Sequence, residues 1–208
     1  MNIGYKIVLI GDAGVGKSSL LAWLMNDKSP TQPTVGAAYA IHKIKINENE
    51  IRLSIWDTAG QERYRSLGPI YYRNSLGCLC VFDLANKSSF KNLKQWITDY
   101  RFCDQNENKQ IIIVANKCDC ERHLWCTTEE NIKTFAEENK CDYILTNCVD
   151  GTNVNKAFYK LSESIYEMSN TIIPDVIIDN TNISNKNQLL ELAEKIIPTK
   201  IPFMSIQC

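Results

Sequence analysis

An α/β domain with a mainly parallel sheet covered on both faces is what this chain predicts, and three observations carry the prediction. Apolar runs of strand length alternate with amphipathic stretches of helix length from about residue 5 to about residue 168, the order that builds βαβ units. Two of those runs, at 76–82 and 111–115, are almost unbroken, as strands buried on both faces require. The first run, Ile7-Val8-Leu9-Ile10, leads through the glycine-rich Gly11-Asp12-Ala13-Gly14-Val15-Gly16-Lys17-Ser18 into the amphipathic Leu20-Leu21-Ala22-Trp23-Leu24. That succession reads as strand, loop and helix.

Taken in order, residues 5–10 form the first strand and residues 17–25 the first helix, which stops at the polar Asn26-Asp27. Pro30 and Pro33 forbid a regular element between them. Residues 39–46 and 51–57 flank the turn-prone Asn47-Glu48-Asn49-Glu50 and predict an antiparallel hairpin. A buried strand follows at 76–83. Ser88 or Ser89 is the expected cap of a helix carrying Phe90, Leu93, Trp96, Ile97 and Tyr100 on one stripe. Residues 111–115 form the next strand. Thr127-Thr128-Glu129-Glu130 has the form of a capping box, opening a helix that runs to Glu138. A short strand at 143–145 and a helix at 154–168, with Ala157, Phe158, Leu161, Ile165 and Met168 on its apolar face, complete the set.

Composition excludes several classes of function. The 208 residues carry a formal net charge of −1 and no basic stripe, so the electrostatic footprint of a nucleic-acid binder is missing. No apolar stretch approaches the length of a membrane span. Neither a leader nor a glycine at position 2 is read at the start, so a cytoplasmic chain is expected. The nine cysteines are odd in number and scattered, which favours reduced thiols. Cys118, Cys120, His123 and Cys126 have soft-ligand chemistry at short spacing but lack the paired knuckle of common zinc sites. They are read as ordinary residues, as is His42.

Three motifs carry chemistry. The glycine-rich loop matches G-x-x-x-x-G-K-[ST] at every position. Its backbone N–H groups can turn inward onto a phosphate chain, at the positive end of the helix that follows. Lys17 would bring a point charge to the β- and γ-phosphates and the Ser18 hydroxyl would ligate Mg²⁺. Asp12, Ala13, Gly14, Val15, Gly16 and Ser19 complete this candidate site. The second motif, Asp57-Thr58-Ala59-Gly60-Gln61, stands at the end of a strand: an aspartate for the metal, a glycine N–H for the γ-phosphate, and an amide to orient an attacking water. In the third, Asn116-Lys117-Cys118-Asp119, one carboxylate can accept the adjacent N1–H and exocyclic amine of guanine, a pair that adenine does not offer. Asp119 therefore selects GTP over ATP, Asn116 ties its loop to the phosphate loop, and the Lys117 stem lies along the base.

These motifs, in this order, resemble the small GTPases of the Ras superfamily, over residues 5 to about 168. The Rab branch is the most similar, through Trp56-Asp57-Thr58-Ala59-Gly60-Gln61-Glu62-Arg63-Tyr64, Tyr71-Tyr72-Arg73 and Leu79-Cys80-Val81-Phe82-Asp83. Within it, Thr34-Val35-Gly36-Ala37-Ala38-Tyr39 resembles the endosomal group. The resemblance implies a P-loop small G domain over residues 1–170, with a six-stranded sheet of which one strand is antiparallel, and a hypervariable tail over 171–208. It implies GTP and GDP with Mg²⁺ as ligands, Ser18, Thr34 and Asp57 at the metal, and Gln61, Lys17 and Thr34 in slow hydrolysis. It also implies an exchange factor, a GTPase-activating protein, and effectors that read residues 34–39 and 60–72 through Tyr39, Trp56 and Tyr71. A monomer acting in vesicle trafficking, cytoplasmic or peripheral on endomembranes, is expected. A nucleotide-binding module that cycles by exchange with little hydrolysis is the alternative.

Four departures from the family pattern stand out. Lys17 to Thr34 spans 17 residues, two fewer than usual, and the aromatic that packs on guanine has no counterpart between Trp23 and Tyr39. The family's Ser-Ala-Lys loop is here Asn147-Cys148-Val149, so only its backbone N–H contacts are expected to survive. Ala13 occupies a position near the γ-phosphate where bulk hinders hydrolysis. The tail ends in a single Cys208, outside a C-a-a-X box, and carries three lysines against four acids. Within it Leu189, Leu192, Ala193, Ile196 and Ile197 lie at helical spacing, predicting a short amphipathic helix.

Overall fold

The computed structural model describes residues 3–29, 32–61, 67–106 and 108–172. The tail helix, Cys208, and Glu62, Arg63 and Tyr64 of the second motif lie outside the described residues. The chain divides into units at 1–169 and 170–208.

Its elements are β1 (Ile3–Ile10), α1 (Lys17–Leu24), β2 (Ala37–Ile46), β3 (Asn49–Thr58), α2 (Gly68–Tyr72), β4 (Gly77–Asp83), α3 (Lys87–Arg101), β5 (Gln110–Asn116), α4 (Glu129–Glu138), β6 (Asp142–Thr146) and α5 (Val154–Ile172). The sheet runs β2-β3-β1-β4-β5-β6. Among the described strands only β2 is antiparallel, pairing Tyr39 with Trp56 and Ile46 with Asn49 across the predicted hairpin. Asn47 turns that hairpin with a positive φ of 52°.

Two cores flank the sheet, because alternate residues of a strand face opposite sides. Ile7 and Leu9 of β1 join Leu20 of α1 and Phe158, Leu161 and Ile165 of α5 on one face. Val8 and Ile10 join Leu93, Trp96 and Tyr100 of α3 and Ile132 of α4 on the other. All seven residues of β4 are buried, as a central parallel strand requires.

The predicted elements are present, with local differences. The cap of α3 is Asn86, not Ser88 or Ser89; its side chain accepts from both of those N–H groups. A freer oxygen one residue before the helix satisfies two orphan donors, an arrangement that contributes about 1 kcal/mol. Thr128, not Thr127, caps α4 by accepting from Asn131 N–H at 3.2 Å. The short α2 was not expected: Gly68-Pro69 opens it, and five residues show no periodicity.

Candidate nucleotide and metal site

In a doubly wound sheet, ligand-binding loops gather at the carboxyl ends of the parallel strands. Here the loops after β1, β3, β5 and β6 bring the three motifs together. The loop after β1 meets α1 at Gly16, whose φ of 102° suits glycine. A Cβ there would lie 2.2 Å from Asn116 Nδ2. Asn116 uses that proximity: its amide donates to Val15 O at 2.8 Å, and its Oδ1 accepts from Thr146 Oγ1 at 3.0 Å. The base-reading loop is thereby tied to the phosphate loop.

Lys17 is 5% exposed. Its ammonium donates to Gly11 O at 2.8 Å and Asp12 O at 2.7 Å. Burial pushes its pKa down to about 8, against the pull of Asp57 and Asp12. Gly60 closes over it: a Cβ there would meet Asp12 O and Lys17 Nζ at 2.4 Å. A cavity of about 290 Å³, lined among others by Gly14, Ser19, Gly60 and Gln61, opens beside this lysine.

Three oxygens converge at the same place. Ser18 Oγ donates to Asp57 Oδ2 at 2.5 Å and lies 2.9 Å from Thr34 Oγ1, which donates to Asp57 Oδ2 at 3.2 Å. The other carboxylate oxygen, Asp57 Oδ1, is buried without a hydrogen-bond partner. Burial raises the Asp57 pKa although Ser18, Lys17 and Thr34 oppose it. A carboxylate in that state is short of positive charge. Two hydroxyls and one carboxylate are hard oxygen donors, few enough to leave water and phosphate positions around Mg²⁺, so the residues fit that ion.

At the base-reading end, Asp119 is exposed. Lys117, held at a φ of 65°, pairs with Asp83 Oδ2 at 2.6 Å, which fixes the lysine stem across the loop. In Asn147-Cys148-Val149, two of the three amides are already bonded inside the protein: Asn147 N–H to Thr152 O at 3.1 Å and Val149 N–H to Asn147 Oδ1 at 2.8 Å. The expectation of surviving backbone contacts therefore narrows to the Cys148 amide. Burial raises the Cys148 thiol to about 11. Ala13 is exposed at the loop tip. Among the described residues no group of three or more His, Cys, Asp or Glu side chains is placed to hold a metal ion. Cys118, Cys120, His123 and Cys126 form no such cluster.

Sequence reasoning missed the grip of α3 on the phosphate loop. Trp96 Nε1 donates to Asp12 Oδ1 at 2.7 Å and Asn92 Nδ2 to Asp12 Oδ2 at 2.8 Å. Trp96 reads in the sequence as one more apolar stripe residue. On the outer face of β2 and β3, Tyr39 and Trp56 lie 5.1 Å apart between ring centroids, and Trp56 and Tyr71 5.9 Å.

A model of the Ras family matches residues 6–167. The chain is 42% identical over 197 residues to a "Probable Rab-related GTPase" of Acanthamoeba polyphaga mimivirus, covering 93% of this chain and 86% of that one. It is 39% identical over 182 residues to "Ras-related protein Rab-11A" of Dictyostelium discoideum, covering 85% and 84%. To "Ras-related protein RABA1g" of Arabidopsis thaliana it is 37% identical over 194 residues, covering 92% and 88%.

Proposed function

The chain belongs to the Ras family as a Rab-like small GTPase that binds GTP and GDP with Mg²⁺ and hydrolyses GTP, and we infer that the converging loops described above are where it does so. The observation that carries this reading is the meeting of Ser18, Thr34 and Asp57 beside the buried ammonium of Lys17. Lys17 contacts the β- and γ-phosphates, and the N–H groups of residues 13–19 line the phosphate chain. Ser18, Thr34 and Asp57 hold Mg²⁺, which when bound offsets the negative charge on the phosphoryl oxygens. Gly60 presents its N–H to the γ-phosphate and Gln61 orients the water. Water adds to the γ-phosphorus as the bond to the β-phosphate oxygen breaks, giving GDP and phosphate. Asp119 reads guanine, Asn116 keeps the two loops in register, and Lys117 and residues 147–149 flank the base. Single-turnover GTP cleavage by the purified chain, with and without a Mg²⁺ chelator, tests this assignment. Cleavage that survives chelation counts against it.

Family membership brings exchange factors, activating proteins and effectors in general. The surface they read is proposed here as residues 34–39 and 60–72, with Tyr39, Trp56 and Tyr71 at its centre. Removal of the γ-phosphate releases the contacts of Thr34 and Gly60, and the two loops relax. A monomeric switch in vesicle trafficking, peripheral on the cytosolic face of endosomal membranes, is the cellular role this supports. No helix among the described residues is long and apolar enough to cross a membrane. Residues 171–208 form the tail in this reading, and Cys208 is its candidate lipidation site.

A further inference from the structure

At the opposite end of the sheet from the nucleotide loops, the connection from α3 to β5 holds a lysine against a cysteine. The Lys109 side chain is 1% exposed. Its ammonium has three hydrogens and three acceptors: Asp104 Oδ1 at 2.7 Å, Cys103 Sγ at 2.8 Å and Tyr100 O at 3.1 Å. The contact with sulfur is as short as an ordinary N–H···O bond, although sulfur is the larger atom. Cys103 is only half-buried, so a small oxidant can reach it, whereas Cys78 and Cys80 are sealed in the core. One oxygen atom inserted between nitrogen and sulfur spans the gap with little backbone movement.

We propose that Cys103 and Lys109 are an oxidative cross-linking site, forming a reversible Nζ–O–Sγ bridge in response to hydrogen peroxide. In the first step the thiol takes one oxygen from peroxide, giving Cys103 sulfenic acid and water. In the second, Lys109 releases a proton to solvent and its amine forms an N–O bond to the sulfenic oxygen. A second peroxide accepts the two hydrogens and two electrons and leaves as two waters. Two equivalents of a dithiol reverse the reaction, supplying four hydrogens and four electrons that reduce the bridge to thiol, amine and water and leaving as two disulfides. The bridge also removes the ammonium that faces Asp104. Asp104 Oδ2 holds the Asn74 N–H at 3.0 Å, just beyond α2, so oxidation is felt in the segment next to Tyr71 and Tyr72.

The test treats the full chain, loaded with GDP and Mg²⁺, with peroxide and maps its tryptic peptides. Trypsin cleaves after Arg101, Lys109 and Lys117, and a bridged Lys109 resists it. The expected product is the peptide 102–117, heavier by one oxygen and lighter by two hydrogens; after reduction with dithiothreitol, a second round of trypsin cuts it at Lys109 and yields 102–109 with a free thiol. Cys103→Ser removes the product; Lys109→Arg should do so too, but the serine variant alone suffices if arginine does not fit. Recovery of Cys103 only as sulfinic acid, sulfonic acid or a disulfide, with Lys109 cleaved, overturns the proposal. So does equal bridging in urea-unfolded protein. Hydrogen exchange of the Asn74 amide should quicken on bridging, and an unchanged rate overturns the link to α2.

Discussion

Ser18 Oγ lies 2.5 Å from Asp57 Oδ2, across 39 residues of sequence. Together with Thr34 they make a cluster of hard oxygens in which the hydroxyl of Ser18 is the partner of the carboxylate and, in the proposed site, a metal ligand. Ser18→Ala removes one ligand and one charge-assisted hydrogen bond, worth about 1.5–3 kcal/mol. The Mg²⁺ concentration needed to slow GDP release should rise by roughly tenfold or more. A Mg²⁺ titration of release from the variant measures this; an unshifted midpoint removes Ser18 from the metal site.

Gln61 lines the cavity that opens beside Lys17. Gln61→Leu keeps the size of the side chain and deletes the amide. GTP cleavage should fall by roughly tenfold to a hundredfold, with GTP and GDP affinities unchanged. Single-turnover cleavage and equilibrium binding on the same preparation separate the two effects. Wild-type cleavage in this variant would assign the water to another residue.

Asp119 is exposed, at the far end of the loop that Asn116 ties down. Asp119→Asn replaces an acceptor by a donor, which suits the C2 carbonyl of xanthine and leaves the guanine amine unmatched. GTP affinity should drop by more than about a hundredfold while xanthosine triphosphate gains. Competition between the two nucleotides reads the exchange directly.

Much of this was legible because the chemistry sits in contiguous stretches. The glycine loop and Asn116-Lys117-Cys118-Asp119 each follow an apolar run, the Asp57 motif follows the alternating Ile51-Arg52-Leu53-Ser54-Ile55-Trp56, and each is found at the carboxyl end of a strand. What was not legible depends on contacts between remote segments. Asn92 and Trp96 reach Asp12 across 80 and 84 residues, and nothing in the helical stripe of α3 marks them. The helix α2 escaped notice because five residues are too few for a period. The cap of α3 was misplaced because Asn86, Ser88 and Ser89 are all cap formers, and only the backbone path chooses among them.

The Asp104–Lys109 pair makes acid sensitivity predictable. Burial raises Asp104, but Lys109 and the N–H groups of Asn74 and Asn106 outweigh it, so its folded pKa lies below the ordinary 3.8. A depressed carboxylate adds stability above its unfolded pKa and loses it as pH falls through the folded value. Asp104→Asn should therefore cost about 3 kcal/mol near neutral pH, by leaving a buried ammonium without its counter-ion. The gap from wild type should close as pH falls below the ordinary carboxylate range and through the depressed folded value. Urea unfolding across that range measures it, and a constant gap would show that the charge pair is not the cause.

Trp23 packs against Gly151, so closely that a Cβ on the glycine would fall within 1.9–2.0 Å of two indole carbons. It is 37% exposed and supports the far side of the loop that carries Asn147, Cys148 and Val149. Packed there, the indole buttresses the loop. In the proposed site the residues assigned to phosphate and metal are all present, while those assigned to the base lack the ring and part of the loop that the family resemblance implies. If those losses amount to about 2 kcal/mol, GDP release should be roughly thirtyfold faster than in a Rab protein that keeps both, since lost contacts act mainly on the off-rate. Trp23→Ala, by loosening the loop, should quicken release further. Release of a fluorescent GDP analogue with Mg²⁺ present decides both points. Slow release in the wild-type chain that becomes fast in the variant would instead place the indole over the base.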